Sequence, residues 1–335
     1  MVMKLVVRMP NWIGDAVMAL PVLGSLAASG PDMEVWAAGE PWVADLLSPT
    51  LGVRGALTIP RTRSLKELRA AAAALKTHRF EAGLLLTNSF GSAMALRLAG
   101  IPERWGYARD GRGPLLTRRV RMKEALEPRH QRDYYLDLLA GLGFTAAFTG
   151  PGLTVTPEEK AAAERMLDEA GRDRSRPLVI FNPGAAYGPA KRWPAERFAE
   201  LGRLFQSQAS ADILLVGSVG EREIANAVAA GLERSALNLA GRTSLRELAA
   251  VIGLGRLFVT NDTGPMHIAD ALGTPILAVF GPTDPVATGP GRARSAVLKI
   301  DVPCWPCLYR KCPYDHRCMT GIGPEEAFEA GRRLL

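Results

Sequence analysis

The sequence predicts an α/β protein made of two doubly wound, Rossmann-like domains, and three observations carry this. Short runs rich in Val, Ile and Leu alternate with helix-patterned stretches, separated by turns bearing Gly or Pro. Such alternation puts parallel strands in a sheet covered by helices on both faces. The chain has 335 residues, more than one hydrophobic core usually spans. Hydrophobic residues make up 47% and charged residues 22%, which excludes disordered, collagen-like and coiled-coil classes.

Taken in order, the first strand is Lys4–Arg8, followed by a polar turn (Asn11, Gly14, Asp15) and a helix from Ala16 to Ala28. Met33–Ala37 reads as a strand and Leu65–Lys76 as an Ala/Leu-rich helix. Ala82–Thr87 is a buried strand ending at a helix start, Asn88-Ser89. In the second half, strands are expected at Leu178–Asn182, Asp212–Gly217, Leu237–Ala240, Leu257–Asn261 and Pro275–Phe280. Helices fall at Ala195–Ser207, Glu221–Ala230, Ser244–Ile252 and Met266–Leu272, with Ser244 and Glu247 spaced as a capping box. A loop-like Gly150-Pro151-Gly152, a polar helix at Thr156–Gly171 and a charged stretch to Pro177 mark the boundary. The expected domains are 1–160 and 175–335. Ligands of such sheets bind beyond the carboxyl ends of the strands, so the cleft between the domains is the expected site.

The formal net charge is +7, and it is uneven: residues 1–150 hold 19 Lys and Arg against 13 Asp and Glu. Ten of these cations lie within 97–132, among them Arg104, Arg112, Arg118, Arg119, Arg121 and Lys123, with only four acids. That segment reads as an anion-attracting surface, with an ordinary solvated face as the bland alternative. Its few aromatics, Trp105 and Tyr107, argue against base stacking and a nucleic-acid partner. The first apolar run is too short for a signal peptide, and Ala16–Ala28, broken by Pro21 and Gly24, is too short to span a bilayer. A cytoplasmic protein is expected.

Three turns carry candidate chemistry, each following a strand and opening a helix. In Asn11-Trp12-Ile13-Gly14-Asp15, the Asp15 carboxylate suits a helix cap, which spacing alone favours, or a general base. The Gly/Pro-rich loop 182–194 places Lys191 and Arg192 before a helix, which suits a diphosphate, with an ordinary βα loop bearing surface charges as the alternative. Asn261-Asp262-Thr263-Gly264-Pro265-Met266-His267 offers amides to an anion and a carboxylate to sugar hydroxyls; a lone helix histidine such as His267 is more often structural. A further turn, Phe280 to Pro285, closes the next strand. No Gly-x-Gly-x-x-Gly follows the first strand, which argues against a nicotinamide dehydrogenase. No Asp-x-Asp pair is present, so charge neutralisation by Lys and Arg without a metal is expected. Cys304, Cys307, Cys312 and Cys318 cluster near the C-terminus; their spacing favours a reduced, packed loop over a structural metal site.

At the three turns the sequence resembles the ADP-heptose–lipopolysaccharide heptosyltransferases of glycosyltransferase family 9. The string Gly188-Pro189-Ala190-Lys191-Arg192-Trp193-Pro194 is most similar to their heptosyltransferase II branch. The resemblance implies the GT-B architecture: two Rossmann-like domains with parallel sheets facing across a cleft, acceptor in the N-terminal one and nucleotide sugar in the C-terminal one. It implies inverting transfer of L-glycero-D-manno-heptose from ADP-heptose to an anionic glycolipid, the heptosylated Kdo2-lipid A inner core, with no cofactor besides the donor. Asp15 and Lys191 become the catalytic pair. Arg192, Glu221, Asp262, Thr263, Gly264, Pro265 and His267 become donor residues, and Asn11, Trp12, Arg118, Arg119 and Arg121 acceptor residues. The implied place of work is the cytoplasmic face of the inner membrane, touched transiently. The alternatives are another family 9 transferase, such as heptosyltransferase I or III, and a nucleotide-sugar epimerase of the same fold.

Overall fold

The structure is a computed structural model that describes residues 2–47, 52–122, 129–145 and 152–335. Lys123 of the basic segment and Gly150-Pro151 of the expected boundary lie outside the described residues. The chain divides into two compact units, Met1–Thr154 and Val155–Leu335.

The first unit holds β1 (Met3–Arg8), β2 (Met33–Gly39), β3 (Gly55–Thr58), β4 (Ala82–Leu85), β5 (Glu103–Tyr107) and β6 (Arg118–Val120). They form a parallel six-stranded sheet in the order β3-β2-β1-β4-β5-β6. β1 is central, and Leu5, Val6 and Val7 are fully buried because helices cover both faces. The helix expected across 16–28 is two, Ile13–Met18 and Leu20–Ala27, sharing Ala19 as cap. Pro21 causes the break: it has no N–H to give and is tolerated only in a first helical turn. The helix Leu65–Lys76 starts at Ser64, capped reciprocally with Glu67.

The second unit holds β7 (Leu178–Asn182), β8 (Asp212–Leu215), β9 (Leu237–Asn238), β10 (Leu257–Asn261), β11 (Ile276–Phe280) and β12 (Ser295–Lys299). Its sheet is also parallel, in the order β12-β11-β10-β7-β8-β9. Every residue of β7, β10 and β11 is buried, which their unbroken apolar runs require. Phe181, Trp193, Phe198 and Phe205 fill the core beneath, with Trp193 and Phe198 edge to face at 5.1 Å. The helix Pro157–Glu169 packs on the helix Leu245–Ile252 of this unit, joined by an Arg246–Glu159 ion pair.

In each sheet, successive strands run outward in opposite directions from a central pair, β1/β4 in one unit and β7/β10 in the other. At such a switch point the flanking loops part and leave room for a ligand. Among the described residues, no helix is long and apolar enough to cross a membrane.

Candidate functional site

In the second unit, the loops after β7 and β10 are bolted together by asparagines that end the two strands. Asn261 Oδ1 accepts from the Trp193 amide at 3.0 Å, and its Nδ2 donates to the carbonyls of Pro183 (3.0 Å) and Gly184 (3.1 Å). Asn182 Nδ2 donates to the hydroxyls of Thr260 (3.2 Å) and Thr263 (3.0 Å). Neither asparagine was given a role on sequence grounds. The signal available was an Asn closing each of two neighbouring apolar strands.

This bolting brings Lys191 to Asp262. Their side chains meet at 2.5 Å and are 13% and 5% exposed. The Thr283 hydroxyl, from the loop after β11, donates to the same carboxylate at 2.7 Å. Asp262 therefore holds Lys191 in the structure, a pairing that spacing 71 residues apart did not reveal. Lys191 Nζ also lies 5.0 Å from the centre of the Tyr187 ring. Arg192 reaches the Ala185 carbonyl at 3.5 Å. Arg192 Nε and Asn182 Oδ1 are buried without a hydrogen-bond partner among the described residues. Buried polar atoms left this way are uncommon and point to a missing partner.

The remaining donor candidates surround this core. Thr263 caps the helix Gly264–Leu272 by backbone alone, its hydroxyl being engaged with Asn182, and Pro265 sits in the first turn. His267 begins the second turn and is 5% exposed, packed inside the unit. Glu221 Oε2 accepts from the Ser218 amide and hydroxyl, both at 2.8 Å. Its other oxygen lies against Gly184, where any Cβ would overlap it.

In the first unit, Asp15 is the third residue of the helix Ile13–Met18, whose cap is Trp12 without a side-chain bond. The cap favoured by spacing is thus corrected: Trp12 holds the cap position, and Asp15 lies three residues beyond it. The helix's positive end still favours its carboxylate. Burial first, and the Asp15 charge second, push the phenol of Tyr135 well above the ordinary tyrosine range. Trp12 is half exposed. Asn11 is gripped twice: Arg8 Nη2 donates to its Oδ1 at 2.8 Å, and Arg61 Nη2 to its carbonyl at 3.4 Å. Arg61 is in turn held by Glu40 at 2.9 Å. Arg8 is 4% exposed. Burial lowers its pKa to about 10, so it remains a cation at neutral pH.

The basic segment divides into inward and outward cations. Arg112 is fully buried: its Nε donates to the Tyr107 carbonyl at 2.9 Å, Nη2 to Asn88 Oδ1 at 3.0 Å, and Nη1 to the Thr87 carbonyl. Arg104 donates to the carbonyls of Ile101, Pro102 and Leu115. Arg118 donates to the Leu142 carbonyl and stacks 4.9 Å over Trp105. Arg119 reaches the Leu116 carbonyl at 3.3 Å, and Arg109, Arg118, Arg119 and Arg121 are all exposed. The expectation of one anion-attracting surface is corrected to this extent: a guanidinium has enough donors to close several loop carbonyls, and Arg104 and Arg112 do so.

None of the four cysteines is in a disulfide. Cys304 is exposed and Cys318 buried. Burial, then the neighbouring Cys312, Cys307 and Cys304, raise the Cys318 thiol to about 11. Among the described residues, no three His, Cys, Asp or Glu side chains are gathered so as to hold a metal ion.

Known proteins share this arrangement of sequence and fold. Residues 68–317 match glycosyltransferase family 9 (heptosyltransferase). The chain is 33% identical to lipopolysaccharide heptosyltransferase 2 of Escherichia coli, over 89% of this chain and 88% of that protein. It is 30% identical to lipooligosaccharide heptosyltransferase 2 of Haemophilus influenzae, over 99% of both. The solved structure of E. coli ADP-heptose lps heptosyltransferase II superposes with a TM-score of 0.82 at 28% identity, covering 99% of this chain and 98% of that one. The two parallel sheets are those of the GT-B heptosyltransferases.

Proposed function

The chain belongs to glycosyltransferase family 9 and is a glycosyltransferase, and we propose that it transfers L-glycero-D-manno-heptose from ADP-heptose to the heptosylated Kdo2-lipid A inner core of lipopolysaccharide. The observation that carries this is the Lys191–Asp262–Thr283 constellation at the β7/β10 switch point, beside the orphaned Arg192 Nε and Asn182 Oδ1.

Each residue has a task in that reaction. Asp15 takes the proton from the attacking heptose hydroxyl, which displaces ADP from the anomeric carbon with inversion. An ammonium has three donors, so Lys191 keeps its bond to Asp262 and still offers hydrogens to the departing diphosphate. Arg192 and the amides of the Thr263-Gly264 turn take further phosphate oxygens. Asp262 and Glu221 have oxygens to accept from sugar and ribose hydroxyls. Asn11 fixes the turn that carries Trp12 and Asp15, and the outward arginines Arg119 and Arg121 meet the phosphates of the acceptor. No metal is needed for charge neutralisation, and the acceptor is reached at the cytoplasmic membrane face.

Asp15→Ala should lower kcat by about 10²- to 10⁴-fold and leave ADP binding nearly unchanged, while Lys191→Ala should weaken both. An Asp15→Ala enzyme with ordinary kcat would remove Asp15 as the base. Complementation of strains blocked at each heptose addition, read by lipopolysaccharide size, identifies the acceptor: rescue only at the first or third heptose would exclude the second-heptose assignment.

A further inference from the structure

The segment 302–318, which bears the four cysteines and ends in the helix Arg317–Thr320, is fastened to the candidate donor site. Trp305 Nε1 donates to the Thr283 carbonyl at 3.1 Å, and the Leu308 amide to the Pro282 carbonyl at 3.0 Å. The Tyr187 hydroxyl donates to the Leu308 carbonyl at 2.7 Å, and the Ala190 amide to the Arg310 carbonyl at 3.1 Å. His316 Nε2 meets the Ala190 carbonyl at 2.8 Å. A Cβ on Gly188 would overlap the Arg310 carbonyl, so only glycine lets the two backbones touch there. One loop is thus fastened to the segment that carries Lys191 and to the turn that carries Thr283.

Arg310 rides on this loop. It is exposed, and its guanidinium lies 5.0 Å from the centre of the Tyr187 ring. The same ring carries Lys191 Nζ, also at 5.0 Å. The charges of the donor loops nearly cancel. Lys191 faces Asp262, and the Glu221 carboxylate lies against Gly184, in the loop that bears Arg192. A doubly negative diphosphate needs net positive charge around it, and Arg is the side chain suited to bind phosphate oxygens in pairs.

We propose that Arg310 is a diphosphate-binding residue of the nucleotide-sugar site, and that the cysteine-bearing loop is the strap that brings it there and sets the Tyr187–Lys191 segment. The proposal rests on the donor reading given above. It is tested with the full chain by calorimetric titration of ADP and, separately, of adenosine. Arg310→Ala should raise the Kd for ADP about tenfold, the loss of one charge-assisted contact, and leave that for adenosine unchanged. Arg310→Lys should recover part of the loss. His316→Ala, which frees the Ala190 carbonyl, should weaken ADP more than adenosine without changing the acceptor KM. Unchanged ADP binding in Arg310→Ala would overturn the proposal. So would an equal weakening of ADP and adenosine, since that is what a merely structural role gives. If the unaltered chain bound adenosine but gained nothing from the diphosphate of ADP, the donor reading itself would fall.

Discussion

The two switch points handle their buried cations in opposite ways. At the β1/β4 end, Arg8 and Arg112 are turned into the unit and bonded to backbone carbonyls and asparagine oxygens. At the β7/β10 end, Lys191 is bonded to a carboxylate. A guanidinium that closes carbonyls keeps its charge and holds several chain segments at once. An ammonium on a carboxylate is already offset in charge, and a stronger anion can share it. The contrast separates architecture from chemistry more sharply than charge counting does. The N-terminal excess of basic residues is partly internal scaffolding, while the nearly neutral C-terminal half holds the cation proposed to act in the reaction.

The largest effect expected from this contrast is at Arg112. Arg112→Met fills similar space but leaves the Tyr107 and Thr87 carbonyls and Asn88 Oδ1 without their donor. Loss of such a buried network should destabilise the protein by about 3 kcal/mol, read as a lower denaturation midpoint, with ADP binding unchanged below the transition. A variant as stable as the parent would show that Arg112 is not structural, and the contrast would fail.

A smaller effect should divide β6 from the residue that follows it. Arg118 spends its guanidinium on Leu142 and Trp105, so Arg118→Ala should cost about 1 kcal/mol of stability. Arg121 is exposed, so Arg121→Ala should leave stability within about 0.5 kcal/mol and raise the acceptor KM severalfold. Equal stability losses, or an acceptor KM that follows Arg118 alone, would reverse the distinction between the engaged Arg118 and Arg121.

How much of this was legible in the sequence follows from how local each interaction is. The strand Leu257–Asn261 and the helix Leu65–Lys76 have the bounds expected of them, because apolar runs and caps act over a few residues. β3, β5, β6 and β12 were not anticipated. Gly55–Thr58 and Arg118–Val120 are short edge strands with little apolar pattern, and their pairing depends on neighbours distant in sequence. In Glu103–Tyr107 the apolar residues are only Trp105 and Tyr107. The three loop motifs were readable as motifs, but the partners inside them were not. Asp262 reads as a ligand for sugar hydroxyls and proves to be the holder of Lys191; Arg112 reads as surface charge and is wholly buried. In both cases the partner comes from another loop of the same sheet, which composition and spacing do not encode. The cysteines drew notice for their sulfur, whereas the contacts of their loop run through carbonyls, an imidazole and an indole.

The smallest effect tests whether the Glu159–Arg246 pair of the second unit behaves as an ion pair at all. Glu159 caps its own helix by accepting from the Thr156 amide at 2.9 Å, and it also accepts from Arg246 Nε at 2.8 Å. Burial pushes the Glu159 carboxyl up, but the hydrogen bonds from Arg246 and Thr156 and the guanidinium charge outweigh it, leaving the pKa below the ordinary value. A carboxyl with a lowered folded pKa contributes stability above its unfolded pKa, and that contribution disappears as pH falls through the folded value. Glu159→Gln keeps the capping oxygen and removes the charge. It should therefore be less stable than the parent by about 0.5 kcal/mol at pH 7, and the gap should close as the pH drops below about 4. Denaturant midpoints of the two proteins between neutral and acidic pH measure this directly. A gap that stays constant with pH would mean that Arg246 contributes by packing and hydrogen bonding alone, as the inward arginines of the first unit do.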